Sequence, residues 1–538
     1  MPNVDITLVN YQDADPDYNH IQYFKNLTDA QLNNYFCLYK FKTIENCSYQ
    51  RKDGYIRLPI DFDEAIKYNY CFYKNEAESI TYYCFIKDIK YISDDRCDIY
   101  LETDVFTTWR NKYNILDSFI EREHVDDDSI GVHTIPESLE LGEYVSNNTY
   151  KDDNLQMDLT QIIVGTTSTV SQDEALSDIG GIYGGVYSGV KYRAMPIQYD
   201  EDGSISNMPI NVWLQDLTDA GAEDSIVSIF MAPIFLRPFS IENDRKVDFY
   251  TKPKSYTFTF KKPTTIDGYT PKNNKLFTYP YRYLLVSNGN GASALYHYEL
   301  FDFDNSDDYL NFIVKGVLTP GCSIRMYPAV YKGTQTPENE GLNLGKYPIC
   351  NWANDQYTNW ITQNSVNIAT TWVSGITGTI GGAVGGFMAG NVPGAIIGGV
   401  GGAIAGGSQI ARVMNEKSNA ERIPPQSKGN INCGDVVASN NDNTFTYYNM
   451  SIRKEYAKMI DDYFTAYGYQ VNRFGVPLEN HRSSFWYTKT IDVGIESKQS
   501  SAIPISDLKK IKEAYNKGIT FWNHQVYIRD YSQDNDIK

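Results

Sequence analysis

The side chains that could carry acid–base chemistry are few and scattered along this 538-residue chain. The most suggestive group is Glu121, Glu123 and His124, in which two carboxylates stand beside an imidazole, the residue types that general acid–base catalysis uses. Such groups more often form ion pairs on a protein surface, which is the interpretation we favour. We therefore expect no catalytic site and predict that the protein is not an enzyme.

Motifs that would bind phosphate or metal are incomplete. The sequence GLNLGK, which ends at Lys346, is one residue short of a P-loop and is followed by Tyr347 where Ser or Thr belongs. The acidic runs 126–128 and 200–203 lack the alternating ligands and the closing Glu of a calcium loop, so we predict solvated turns there. The eight cysteines include no C-x-x-C pair, and we expect reduced, buried thiols. We predict no metal and no cofactor.

The segment from Gln356 to Ala411 contains no Asp, Glu, Lys, Arg or His over 56 residues, which indicates a role other than catalysis. Its centre, from Thr371 to Val413, holds 14 of the 39 glycines of the chain. Glycines recur every fourth residue in two series, and this period lines one helix face with hydrogen atoms so that two backbones can approach closely. The predicted membrane-active residues are Trp372, Ile376, Gly378, Ile380, Gly382, Val384, Gly386, Phe387, Met388, Gly390, Pro393, Gly394, Ile396, Ile397, Gly398, Val400, Gly402, Ile404 and Gly406.

The two glycine series form two arms of bilayer length. Residues 371–390 and 394–413 are 20 residues each, and a helix of that length spans about 30 Å, the thickness of the hydrocarbon core of a bilayer. The turn between the arms contains Pro393. Each arm has seven glycines, which disfavour an isolated helix in water by about 7 kcal/mol. In lipid an unpaired amide costs several kcal/mol, so helix becomes the preferred state there.

Three interpretations of this segment are open: a flexible linker, a transmembrane anchor, and a membrane-active loop that is stored until needed. A linker would be polar, whereas these arms carry many Ile and Val residues. An anchor would have a basic cluster at its flanks, which here hold only Arg412. We favour the membrane-active loop.

The elements that must hold this loop are predicted to be strands. The chain has 44 tyrosines and many Asn, Asp, Ile and Thr residues, a mixture typical of strands joined by polar turns. We predict a mainly β, multidomain protein with some α+β elements. Two long helices are expected, one from Lys454 to Tyr467 with Tyr456, Ile460, Tyr463 and Tyr467 on its apolar stripe, and one from an N-cap at Ser506 to Gly518.

Charge and segmentation set further limits. The formal net charge of −19 disfavours binding to nucleic acid through phosphate neutralisation, although an acidic wall lets DNA slide past. The N-terminus has no apolar signal core.

We expect five segments: residues 1–136 (N-terminal, β-rich), 137–255 (middle domain, inserted), 256–350 (second β-rich segment), 351–430 (apolar loop and its stems) and 431–538 (C-terminal, α+β).

Several stretches, in order along the chain, resemble the tail knob (distal tail tube) proteins of small short-tailed bacteriophages of Gram-positive hosts. They include IYLETDVFTTWRNKY (99–113), SFIEREHV (118–125), YPICNWANDQYTNWITQNSVN (347–367) before the loop, and IPPQSKGNINCGD (423–435) after it. The resemblance continues through MIDDYFTAYGYQVNRF (459–474), HRSSFWYTKT (481–490) and IPISDLKKIKEAYNKGITFW (503–522). Residues 137–255 carry no such signature.

The resemblance implies a subunit of a homo-hexameric β-barrel tube, like those of phage tail tubes and baseplate hubs, at the distal end of the tail of the virion. It implies that the loop plugs the channel, then enters the host cytoplasmic membrane and forms a pore for DNA ejection. Its implied partners are further copies of itself, other tail proteins, membrane lipids, and genomic DNA passing without specific binding. The residues also leave open a self-standing pore-forming or lytic protein and a host-receptor-binding adhesin.

Overall fold

A computed structural model describes most of the chain outside the apolar loop. The described residues are 3–25, 27–50, 54–75, 80–156, 160–166, 182–183, 186–187, 191–196, 215, 219, 226–236, 254–301, 309–318, 322–332, 337–345, 347, 349–351, 430–432, 443–498 and 502–538. Strands dominate them, which confirms the predicted mainly β class. None of the helices in these residues is long and apolar enough to cross a lipid bilayer.

The strands in the first part of the chain are β1 Asn3–Val9, β2 His20–Gln22, β3 Phe41–Gln50, β4 Tyr55–Leu58, β5 Tyr70–Asn75, β6 Ile80–Ser93, β7 Arg96–Thr103, β8 Tyr113–Ile115, β9 Ser118–Glu123, β10 Tyr144–Lys151, β11 Thr160–Thr166, β12 Ile182–Tyr183, β13 Val186–Tyr187, β14 Lys191–Pro196 and β15 Ile226–Pro233. Those that follow are β16 Lys254–Lys261, β17 Arg282–Ser287, β18 Ser293–Tyr296, β19 Tyr309–Val317, β20 Ser323–Pro328, β21 Leu342–Asn343, β22 Ile349–Asn351, β23 Asn430–Asn432, β24 Thr446–Ile452, β25 Tyr469–Gly475, β26 Phe485–Ile491, β27 Ile495–Ser497 and β28 Ile519–Trp522. The α-helices are α1 Asp29–Phe36, α2 Phe62–Ala65, α3 Val105–Trp109, α4 Lys454–Tyr467 and α5 Ile505–Lys517.

The chain divides into two compact units, and both ends of the chain belong to the first. Unit 1 comprises Met1–Gly142, Tyr269–Phe277 and Lys454–Lys538, and unit 2 comprises Glu143–Gly268 and Thr278–Arg453. The division into five segments stays a prediction.

Unit 1 contains a closed six-stranded barrel with the strand order β1-β3-β4-β7-β6-β5. Closure pairs every strand edge of the barrel, and the hydrophobic core that contains its strands includes the aromatic side chains of Tyr70, Tyr83 and, from α1, Phe36. A second sheet has the order β2-β28-β26-β9-β25, in which the parallel pair β2–β28 joins the two ends of the chain. The Trp109 indole N–H donates to Asp507 at 2.9 Å and ties α3 to α5.

Segment Tyr269–Phe277 is held in unit 1 by buried carboxylates. Asp461 on α4 accepts hydrogen bonds from the Tyr269 hydroxyl at 2.7 Å and from the Lys272 and Asn273 backbone N–H groups at 2.8 and 3.0 Å. Lys275 forms an ion pair with Glu137, which also pairs with Arg122, and all three side chains are buried. This segment is therefore fixed within unit 1, although the residues on either side of it in the sequence belong to unit 2.

Helix α4 begins and ends where the sequence predicts, but its buried face is different. The helix spans Lys454–Tyr467 and stops at Gly468, as expected. The predicted stripe of Tyr456, Ile460, Tyr463 and Tyr467 is wrong in part, because only Ile460 among them is fully buried. The buried positions are Ala457, Ile460, Asp461 and Phe464, so the inward face is rotated by about one residue toward the carboxylate that holds Tyr269–Phe277.

Helix α5 begins earlier than predicted. Pro504 is its N-cap and Ser506 lies inside the first turn, so the predicted N-cap at Ser506 is wrong. Proline is accepted at a helix start because the first N–H groups have no partner within the helix. The C-terminal end at Gly518 is as predicted, with φ +103° at the glycine.

Candidate functional site at the base of the apolar loop

The apolar loop leaves and rejoins the described structure at one point, where β22 and β23 pair antiparallel. The register pairs are Ile349 with Asn432, Cys350 with Ile431, and Asn351 with Asn430. The backbone on either side of the loop therefore forms a two-stranded stem. The limits of the predicted loop segment, residues 351 and 430, are the last register pair of this stem.

The stem belongs to a sheet of unit 2 that extends well beyond it. This sheet has the order β14-β11-β15-β22-β23, so the stem lies at its edge. Strand β15 pairs with β22 through Ser228, Ile229 and Phe230 on one side and with β11 on the other. Phe230 and Ile163, which neighbour each other across β15 and β11, are buried in the core of unit 2. The ends of the loop are thereby attached to a strand whose side chains are fixed by packing.

The predicted membrane-active residues lie outside the described residues, and so does the whole segment 352–429 that connects β22 to β23. These residues are Trp372, Ile376, Gly378, Ile380, Gly382, Val384, Gly386, Phe387, Met388, Gly390, Pro393, Gly394, Ile396, Ile397, Gly398, Val400, Gly402, Ile404 and Gly406. What the structure adds is the position of the two ends. In an antiparallel stem, the strand that leads into the loop and the strand that returns from it lie next to each other.

The acid–base group of the sequence is structural, and two of its members are not on the surface. Glu121 does form an ion pair, with Lys489 at 2.9 Å. Glu123 is buried, accepts from the Arg473 guanidinium at 2.6 Å, and has its pKa raised by burial. The expected surface position is therefore wrong for Glu123 and His124.

The buried imidazole of His124 is held in one tautomer. The Tyr487 backbone N–H donates to Nδ1 at 2.7 Å, so Nδ1 is the acceptor and the proton resides on Nε2. Nε2 lies 3.0 Å from the Thr465 carbonyl oxygen, to which it donates. Burial, together with the nearby Arg482 guanidinium, lowers the pKa of His124 to about 3, and His124 stays neutral. This arrangement joins β9, α4 and β26 and leaves no free base.

The acidic runs and the cysteines show no metal chemistry within the described ranges. No group of three or more His, Cys, Asp or Glu side chains there could hold a metal ion. Asp126 and Asp127 are exposed, as a solvated turn requires, but Asp128 is half-buried and accepts from the Tyr469 hydroxyl at 2.5 Å. The prediction of a solvated turn is therefore wrong for Asp128. Residues 200–203 and Lys346 lie outside the described residues. Among the described residues six cysteines are free thiols; five are buried and Cys37 is half-buried, so the predicted burial is wrong for Cys37.

One group of side chains was missed from the sequence, because its tyrosines were considered only as part of the overall composition. Tyr144, Tyr279, Tyr283 and His297, all in unit 2, form a cluster of rings at the surface. Positions 279 and 283 are four residues apart, but Tyr144 and His297 come from separate strands or turns. No local signal in the sequence brings these four together.

Two family models match the chain and together cover most of it. Residues 248–536 match the model described as the C-terminal domain of the tail knob protein gp9 of Bacillus phage phi29. Residues 3–114, which contain the barrel strands, match the model described as the N-terminus of the caudoviral major tail protein.

Whole-chain comparisons agree with these matches. The chain is 22% identical to the tail knob protein gp9 of Bacillus phage phi29 and 23% identical to that of Bacillus phage B103, in each case over 97% of this chain and 96% of the relative. Its fold is similar to that of the tail knob protein gp12 of bacteriophage C1, with a TM-score of 0.61 at 13% identity over 99% of this chain and 100% of that one.

Proposed function

The chain belongs to the phage tail knob protein family and is a structural component of the virion tail, and from this premise we propose that six copies form the distal tube through which DNA is ejected. In this proposal the apolar loops block the channel before infection. They then enter the host cytoplasmic membrane and form a pore. Other tail proteins are the partners of the assembled ring.

The stem is the observation that most directly supports a membrane-entering hairpin. Because Asn351 and Asn430 are register partners, both arms of the loop begin on the same side of any membrane that they enter. A hairpin of two bilayer-length arms then needs no part of the folded units to cross the lipid. The glycine faces of the arms allow the close helix packing that a ring of such hairpins requires.

The charge of the chain supports passage of DNA without binding. A protein that retains DNA neutralises phosphates with Lys and Arg, whereas this chain has 48 basic and 67 acidic residues. An acidic lumen would repel the DNA backbone and keep the polymer moving. The five segments given above are likewise proposed as the domains of the tube subunit.

Dye release from liposomes tests the membrane step. Purified full-length protein is compared with a variant that lacks Ile376 to Ile410, which removes most of both arms and leaves the stem in place. We expect release by the full chain and none by the variant. Equal release by both would contradict a membrane role for the loop.

Electron microscopy tests the tube separately. Hollow rings seen end-on are expected for the full chain and for the loop-deleted variant, because the deletion leaves unit 1 and both stem strands of unit 2 in place. A protein that stays a monomer and still releases dye would instead be a self-standing pore-former.

A further inference from the structure

The cluster of Tyr144, Tyr279, Tyr283 and His297, hereafter the tyrosine platform, lies at the surface of unit 2 beside the ends of β10, β17 and β18. The rings of Tyr279 and His297 are stacked in parallel, with centroids 4.3 Å apart and an angle of 5° between the planes. Tyr283 stands at 59° to Tyr279 with centroids 6.2 Å apart, and Tyr144 stands at 65° to Tyr283 with centroids 5.2 Å apart. The rings form a stepped aromatic surface.

The platform is held in place by polar contacts with neighbouring groups. The Tyr279 backbone N–H donates to the Glu299 carboxylate at 3.1 Å, and His297 Nδ1 lies 3.5 Å from the same carboxylate oxygen. The Tyr144 hydroxyl donates to the Pro280 carbonyl oxygen at 3.0 Å. Glu299 is itself buried and acts as a positioning residue. A surface fixed in this way loses little conformational entropy when a ligand binds.

The platform is not part of the core. Tyr279 is 42% exposed, and Tyr144, Tyr283 and His297 are half-buried, so aromatic surface faces the solvent. A packed core would have covered the Tyr279 ring, since the neighbouring Tyr281 and Tyr298 are completely buried. An ordered aromatic surface that stays exposed is typical of a binding site.

We propose that the tyrosine platform binds a neutral saccharide. One face of a pyranose ring presents C–H bonds, whose partial positive charge suits the electron-rich face of an aromatic ring, while its hydroxyls need polar partners at the edge. The stacked Tyr279 provides the flat surface. His297 covers one face of the Tyr279 ring, so the sugar stacks on the opposite face.

Charge decides between neutral and anionic ligands. The Glu299 carboxylate contacts both Tyr279 and His297 of the platform, and the whole chain carries a formal charge of −19. The nearby Arg453 guanidinium is already paired with Glu143 at 2.7 Å. A phosphate- or uronate-bearing glycan and a nucleic acid would both be repelled. A neutral saccharide stacks on the rings without this electrostatic repulsion.

A glycan array tests the proposal with the full-length protein. The array carries neutral bacterial oligosaccharides built from N-acetylglucosamine, rhamnose, galactose or glucose, and phosphate- and uronate-bearing counterparts. We expect binding to at least one neutral saccharide. Saturation-transfer NMR with that saccharide then shows whether its C–H protons lie against aromatic rings. Absence of neutral binding, or binding confined to the anionic set, would overturn the proposal.

Matched variants assign the binding to the platform. Tyr279→Ala is expected to weaken binding at least tenfold, and Tyr279→Trp, which keeps a flat ring, is expected to retain it. The control is Tyr309→Ala, because Tyr309 is 51% exposed in the same unit but lies on β19 in another sheet. Unchanged binding by a folded Tyr279→Ala variant would place the saccharide elsewhere and overturn the assignment. The binding experiment does not depend on the apolar loop, so a negative result would overturn the saccharide proposal without contradicting the proposed function.

Discussion

Asn351 and Asn430 are register partners in an antiparallel strand pair, although 78 residues separate them along the chain. Closing a loop of this length costs conformational entropy, which the short stem alone would not offset. The rest of the sheet offsets this loss of entropy, because β22 also pairs with β15, whose Phe230 is buried. The base of the loop is therefore part of the folded sheet.

Replacing residues 352–429 by Asn-Gly is expected to leave the fold intact. Asn351 and Asn430 are directly opposite each other, and Asn-Gly is the two-residue turn that antiparallel strands prefer. We expect the thermal midpoint, measured by circular dichroism, to stay within about 4 °C of that of the full chain, a shift worth about 1–2 kcal/mol in a unit of this size. The control replaces the same residues by a Gly/Ser linker of equal length. A cooperative loss of β structure in both variants would mean that the loop itself stabilises the sheet.

Glu137→Gln is expected to destabilise unit 1 strongly. It leaves the buried cations of Arg122 and Lys275 without their carboxylate, and breaking a buried ion pair costs about 3–5 kcal/mol. Urea denaturation followed by tyrosine and tryptophan fluorescence measures the change. Glu121→Gln is the control, because the Glu121–Lys489 pair is one-third exposed and is worth about 1 kcal/mol or less. Equal effects of the two substitutions would contradict the role of the buried network.

Gly468→Ala is expected to be far more costly than Gly268→Ala. Both glycines have positive φ, +66° and +76°, which costs an L-residue about 1–2 kcal/mol. At Gly468 a Cβ would also lie 2.2 Å from the Glu123 carbonyl oxygen, whereas at Gly268 it would meet nothing within 4 Å. The difference in unfolding free energy, about 1–3 kcal/mol, then measures the close approach of α4 to β9. Equal losses would show that backbone strain alone explains the glycine.

His124 is expected to stay neutral well below its ordinary titration range. Its folded-state pKa is lowered to about 3 from 6.5, so the stabilising contribution is fully present above about pH 6.5 and is lost as the pH falls toward 3. In that window the advantage of the wild type over His124→Asn should shrink by about 1.4 kcal/mol per pH unit. The measurement is urea denaturation of both proteins between about pH 6 and pH 4. Parallel plots of unfolding free energy against pH would mean that the pKa of His124 does not change on unfolding.

The tautomer of His124 is tested separately by NMR of ring-labelled histidine, which is expected to show the proton on Nε2.

The sequence by itself determined the features that depend on composition and local periodicity. The uncharged, glycine-rich segment was defined without any structure, since charge and glycine spacing are properties of the chain alone. The bounds of helix α4 were predicted to the residue because a glycine, here Gly468, commonly ends a helix. The predominance of strands followed from the abundance of Tyr, Ile and Thr.

Only the tertiary structure decided which distant segments meet. Each of three features depends on contacts between separate parts of the chain. They are the burial of Glu123 and His124, the hydrogen bonds between Asp461 and Tyr269–Phe277, and the pairing of Asn351 with Asn430. Periodicity reports which side of an element is apolar, but it carries no information about the partner that covers it. The tyrosine platform shows the same limit, because its four rings become a surface only when the ends of three strands come together.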